Sequence, residues 1–381
     1  MKVSILTIAL VMLTGCSEKR EQPLRHPLPF HWPLYRADAR LSGVAVGKLP
    51  EKPQLLWSFQ TSDDIKSSPV LDYGNLYIGS SDGKIYCLNA TTGDSLWAFD
   101  AGDDIEAAPM LLDSTVYVGS LNGIFYALNA FKGDVMWSFQ TDGEIYGSAN
   151  WVFAPDGKEK WIIVGSYDFF IYCLDAKTGE KQWSYETDNY INGAPASDGK
   201  VVVFGGCDER LHVISIADGS QIGDVDTGSY IAGSAALLDG RAYLGHYGER
   251  LICIDLEQKR IVWEYSNNDQ AGSFFSSPAV GRDRVVIGAR DKLVHCVDRK
   301  SGEKVWTFQT RDDVDSSPVL CDGQVVIGAN DGRLYILRLS DGELVWSFEI
   351  GADIIGSPAV TAGCIFVGAE DGRIYAFGEK L

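Results

Sequence analysis

The segment LNATTGDSLW, Leu88–Trp97, sets a Gly-containing turn between two apolar runs and ends on a tryptophan. Thr92-Gly93-Asp94 is turn chemistry, so a strand enters, reverses and leaves. Relatives of the segment recur down the chain as LNAFKGDVMW, LDAKTGEKQW, SIADGSQIGD, IDLEQKRIVW, VDRKSGEKVW and LRLSDGELVW. The last position is held by Trp57, Trp97, Trp137, Trp183, Gly223, Trp263, Trp306 and Trp346, spaced 40, 40, 46, 40, 40, 43 and 40 residues. A fixed period of this length is the mark of a repeat architecture.

Each unit keeps one internal order, shown by SSPVLD, a turn, NLYIGS, the turn SDG, KIYCLNA, the turn TTGD and SLWAFD. That is four short strands joined by tight turns, with no helical period after the first sixteen residues. Four-stranded units repeated in this way are propeller blades. The last unit stops after RIYAFG without an outer strand, and QLLWSFQ, Gln54–Gln60, stands alone before the first full unit. The expected fold is therefore all-β: an eight-bladed β-propeller of four-stranded antiparallel blades over residues 54–381, its ring closed by the N-terminal strand. The seven tryptophans are expected as inter-blade wedges rather than site residues, and Gly223 marks a weak blade.

Residues 1–15 carry one lysine, an apolar run and the small residues leading to Cys16, which reads as a lipoprotein signal peptide with Cys16 lipidated. Residues 16–53, rich in proline and charge at their start, read as an extended tether, on which Trp32, Tyr35 and Arg36 are candidates to dock on the ring. The formal net charge of −19 argues against nucleic-acid binding and leaves the lipid as the membrane contact. Cys87, Cys173, Cys253 and Cys296 share a slot that other units fill with Ala, Val or Ile, so they read as core residues rather than metal ligands.

The A-x-x-x-G-x-x-x-W spacing of Ala90, Gly93 and Trp97, with Gly-Ser-x-Asp-Gly and Tyr-x-Leu-Asn/Asp before it, resembles the tryptophan-docking repeats of the pyrroloquinoline quinone (PQQ) propeller superfamily. Within it, the propeller behind a lipobox is similar to the BamB-type lipoproteins of outer-membrane protein assembly. The lead-in HWPLYRADARLSG is similar to a Trp-Pro-x-x-Arg stretch common in bacterial PQQ-like repeat proteins. The resemblance implies a non-enzymatic envelope protein, anchored at the outer membrane and facing the periplasm, monomeric within a complex, whose partner is a protein of the β-barrel assembly machinery. PQQ enzymes of the superfamily carry adjacent cysteines and calcium ligands; here no two cysteines are adjacent, so neither cofactor nor metal is expected. A PQQ- or metal-dependent oxidoreductase and a sensor for a small ligand or glycan are the alternatives.

In a propeller the loops entering the inner strands share a face with the turns between strands two and three, and function gathers there. On the entering loops Asp64, Asp104, Glu144, Asp313 and Asp353 form a contiguous acid arc, completed by Tyr190, Tyr230 and Ser273. In the turns Gly83, Gly123, Gly332 and Gly372 give way to Phe169, Glu209, Glu249 and Lys292 in blades three to six. That side also brings Tyr167, Cys207, His246, Tyr247, Arg290, Phe274 and Phe275, beside a three-residue insertion in SNNDQAGSFFSSP. The acid arc reads either as a solvated surface or as an attractor for a basic segment or cation, and the aromatic side either as loop variation or as a binding patch.

Overall fold

The structure, a computed structural model, describes residues 30–267, 269–361 and 363–380; the expected signal peptide and lipidation at Cys16 fall outside them. Eight four-stranded antiparallel sheets follow one another around a ring. Blade one comprises Val70–Asp72, Asn75–Gly79, Lys84–Asn89 and Ser95–Asp100. Blade eight takes Ala359–Thr361, Cys364–Ala369 and Arg373–Gly378 from the end of the chain and Gln54–Gln60 from its beginning, paired from Gln54↔Gly378 to Gln60↔Arg373. The fold and its closure are those expected from the repeat.

Two wedges hold neighbouring blades together. The outer one is the tryptophan: the Trp97 ring lies on Gly133 of the next blade's turn, where a Cβ would sit 2.7 Å from the indole, and its Nε1 donates to Ala130 O at 3.0 Å. The same pairing links Trp57 to Gly93, Trp137 to Gly179, Trp183 to Gly219, Trp263 to Gly302 and Trp306 to Gly342. Trp346 faces blade eight, which has no such turn, and stacks on Phe348 and against Phe377 instead. The inner wedge is aliphatic. Ile105 is fully buried against Gly79, where a Cβ would lie 2.3 Å from its Cγ2, and at ring closure a Cβ on Gly368 would lie 2.1 Å from Ile65 Cγ2. A close-packed interior cannot absorb such an overlap, so glycine is required there.

Around the channel, serine hydroxyls accept amide hydrogens from the adjacent blade: Ala194 N to Ser234 Oγ at 2.8 Å, Ser234 N to Ser277 at 2.9 Å, Ser277 N to Ser317 at 2.9 Å, Ser357 N to Ser68 at 2.8 Å. The four repeat cysteines are buried in the blade cores, and burial pushes the Cys87 and Cys296 thiols up to about 12. All seven described cysteines are free.

The tether read over residues 16–53 is corrected from Phe30 onward: there the chain is bound into the ring rather than free of it. Residues 31–45 wind through one end of the channel and hydrogen-bond every blade. His31 N donates to Thr361, Trp32 exchanges two backbone bonds with Leu71, and Pro33 O accepts from Leu111. Ala39 O accepts from Ser197 N and from the Asn150 amide, Arg40 O from Leu237, Ser42 O from Val280, and Gly43 O from Leu320. Unpaired amides on the inner strands are thereby satisfied. Trp32, Leu34 and Leu41 are buried, and Tyr35 Oη lies 3.3 Å from both Ser277 Oγ and Ser317 Oγ. Arg36 is fully enclosed and donates to Pro318 O at 2.5 Å; burial lowers its guanidinium to about 10, so it stays charged at neutral pH. One face of the ring is plugged and the other is open.

Candidate functional site

The open face carries the entering loops, the turns between strands two and three, and a cavity of about 160 Å³ at the channel mouth whose floor is Tyr35. Each entering loop turns a buried Ile, Val or Phe inward and its successor toward the channel. The lining is thus Lys66, Glu106, Asp315 and Ile355 on one side and Tyr146, Asn192, Ala232 and Phe275 on the other. Of this ring the sequence reading took in only Phe275. The signal was available: two positions past the acid arc, the residue changes in every blade while the one before it stays apolar.

On the first side, Lys66 Nζ pairs with Glu106 at 2.9 Å. Asp315 receives Arg290 in two hydrogen bonds, Nε at 2.8 Å and Nη2 at 3.1 Å, and the Asn330 amide at 3.1 Å. The carboxylates inside the mouth are therefore neutralised. Those on its rim are crowded. Asp104, Asp313, Asp353 and Glu370 all stand above the usual carboxylate range, through partial burial first and through repulsion by neighbouring carboxylates second. Glu370, absent from the sequence-based arc, completes it between Asp353 and Asp64, both of which act on it.

On the other side the aromatics touch in two successive runs. Tyr146 lies 4.5 Å from Tyr167, Tyr167 stacks on Tyr190 at 4.7 Å, and Phe169 meets Tyr190 edge-on at 5.2 Å. Tyr230 follows 6.2 Å from Tyr247, and Tyr247 meets Phe275 at 4.7 Å, with the Arg290 guanidinium 3.5 Å above the Phe275 ring. The Tyr167 hydroxyl donates to Asn192 at 2.6 Å, fixing its ring, and burial pushes that hydroxyl's titration up. Phe169, Tyr190, Tyr230 and Tyr247 are exposed by 37–45%. Phe169 holds a glycine slot at φ 75°, an unfavourable conformation for a bulky side chain; Glu209, Glu249 and Lys292 do the same at 65°, 61° and 64°.

Two residues assigned to this face do not reach its surface. Phe274 is 1% exposed and fills the inner-wedge position against Gly245. His246 is 3% exposed and caps its turn as serine does in blades one and three: its Nδ1 accepts from Gly248 N at 3.0 Å, as Ser80 Oγ accepts from Asp82 N and Ser166 Oγ from Asp168 N, each at 3.2 Å. Burial, aided by Arg250, holds its imidazole below the ordinary value, so it sits there neutral.

Charge is divided between the faces. Counting strand ends, the loops and turns of the open face hold 26 Asp and Glu against 9 Lys and Arg, whereas the hairpin turns of the plugged face hold 19 against 15. The negative charge of the chain is thus concentrated on the face that carries Phe169, Tyr190, Tyr230 and Tyr247.

A protein-family comparison matches residues 46–152, 149–222 and 208–377 to the family described as outer membrane protein assembly factor BamB. Among solved structures, BamB from Moraxella catarrhalis superposes with a TM-score of 0.71 at 20% identity, over 86% of this chain and 98% of that one. The quinohemoprotein alcohol dehydrogenase of Comamonas testosteroni superposes at 0.74 and 14% identity, over 93% of this chain and 81% of that one. A computationally designed protein, Ika8, gives 0.74 at 18% identity, over 86% and 100%. At these identities the structural likenesses speak for the fold alone. A sequence comparison with curated proteins found no match.

Proposed function

The chain belongs to the family of the outer membrane protein assembly factor BamB, and from that premise we propose that it is a non-enzymatic scaffold that binds a protein partner at the outer membrane. The observation that carries the reading is the exposed aromatic series on the open face, held in place by stacking and by strained turns. Tyr and Phe bury large areas at low entropic cost, and rigid aromatics are enriched at protein interfaces. The lipobox ending at Cys16 supports an envelope location. Affinity capture of the intact protein from solubilised envelope should recover components of β-barrel assembly; their absence would overturn the reading.

Quinohemoprotein alcohol dehydrogenases share this fold. The residues here do not fit that cofactor. The mouth cavity, about 160 Å³, is smaller than the 300–1,000 Å³ typical of small-molecule sites, and Tyr35 closes it below. No two cysteines are adjacent, and among the described residues no group of three His, Cys, Asp or Glu side chains is placed to hold a metal. A rise in melting temperature on adding PQQ with calcium would reverse this conclusion.

A further inference from the structure

We propose that the open face receives an extended, cationic polypeptide segment, with an apolar or aromatic side chain set on the Tyr190–Tyr230–Tyr247 arc and its basic residues over the Asp353–Glu370–Asp64 rim opposite. The proposal names the kind of partner taken by the protein-binding reading above and rests on it.

Three observations lead there. First, the face is net negative and divided in build: exposed Phe169, Tyr190, Tyr230 and Tyr247 occupy one half and crowded carboxylates the other. Second, the basic residues of the inner mouth are already engaged, Lys66 by Glu106 and Arg290 by Asp315, so neither is free to receive an anion. Rim carboxylates that repel one another are relieved by an incoming cation, and the field of the whole face draws such a partner in. Third, the cavity between the halves is too small for a folded element or a drug-sized ligand. What fits is a narrow chain crossing the mouth, one side chain dipping toward Tyr35. The plugged face has exposed aromatics of its own, Tyr73, Phe131 and Phe153, but its charges nearly balance, so it offers no such electrostatic complementarity to a cationic chain.

The test titrates the intact protein with a short synthetic peptide alternating lysine with phenylalanine and serine, and with two controls: its glutamate counterpart, and a lysine–serine peptide lacking phenylalanine. The first should bind saturably and weaken as salt rises, since rim charges are screened. The glutamate peptide should not bind, and the lysine–serine peptide should bind roughly tenfold or more weakly than the first. Tyr190→Ala with Tyr247→Ala, and separately Asp353→Asn with Glu370→Gln, should each weaken the first peptide by a similar factor while far-ultraviolet circular dichroism stays unchanged. Equal binding of the lysine and glutamate peptides, or binding indifferent to both pairs of substitutions, would overturn the proposal. So would saturable binding of a neutral oligosaccharide abolished by the tyrosine pair, with no peptide binding. If envelope capture recovers assembly components equally with wild type and both variants, this inference fails while the scaffold reading stands; if peptide binding behaves as expected but capture recovers none, the scaffold role in assembly fails instead.

Discussion

Lys259 lies across Gly223, its Nζ donating to Ile222 O at 2.5 Å, in the place where other seams stack a tryptophan on a glycine. A Cβ on Gly223 would sit 2.5 Å from Lys259 Cδ and 2.6 Å from Cε. Lys259 occupies the turn slot that elsewhere is glycine, and does so at φ 53°. The missing tryptophan and the missing glycine are thus one exchange read from two blades: the lysine stem covers the surface an indole would cover. The blade at Gly223 is altered at this seam but not left without a wedge. Gly223→Trp alone should clash and destabilise, Lys259→Gly alone should leave a gap, and the double substitution should rebuild the common seam. A double-mutant cycle by urea unfolding should show favourable coupling of about 0.5–3 kcal/mol. Strict additivity would mean the two positions are independent.

The ordinary seams predict a different result. Trp97→Ala removes a large side chain from the seam with Gly133 and takes one of two donors from Ala130 O, leaving the Tyr77 hydroxyl at 3.0 Å. A loss of about 3–5 kcal/mol is expected for such a truncation. Binding of the lysine–phenylalanine peptide, measured well below the melting transition, should be unchanged.

The N-terminal segment predicts that stability depends on residues outside the repeats. Trp32 is 4% exposed and bridges to Leu71 beside blade eight, so Trp32→Ala should cost about 3–5 kcal/mol although no repeat residue is touched. Tyr35→Phe keeps the ring and loses contacts to Ser277 and Ser317, for about 1 kcal/mol. Unchanged melting of both variants would show the segment to be dispensable.

The ring was legible because each blade repeats the same physics, and eight noisy copies fix what one cannot. Trp97 and Gly93 recur because an indole needs a surface without a side chain, and this spacing survives in the sequence. Positions on the open face were legible only in part. Register alone assigned His246 and Phe274 to the surface, but Phe274 is drawn inward by Gly245 of the neighbouring blade and His246 by the Gly248 amide of its own turn. The channel-lining ring was overlooked for the opposite reason: Lys66, Glu106 and Asp315 are unlike one another, and repeats draw attention to sameness. The docking of residues 31–45 had no periodic signal, since its hydrogen bonds are backbone bonds made far along the chain.

The crowded rim makes a prediction in which stability and binding move in opposite directions. Asp353 and Glu370 are held above the range their carboxyls show in an unfolded chain, by burial and then by neighbouring carboxylates. A group whose native titration is raised disfavours the folded state wherever it is ionised. That cost is full above the native value, fades as pH falls through it, and is gone below the unfolded value near 4. Glu370→Gln should therefore raise the melting temperature at neutral pH, and the gain should shrink on acidification and vanish near pH 4. Asp353→Asn should behave alike. Both should weaken the cationic peptide at neutral pH, because the repulsion removed is the repulsion a bound lysine would relieve. Residues kept only to solubilise a surface would give no such opposition, so melting curves across pH, set beside peptide affinity for the same two variants, separate a solvated arc from a binding rim.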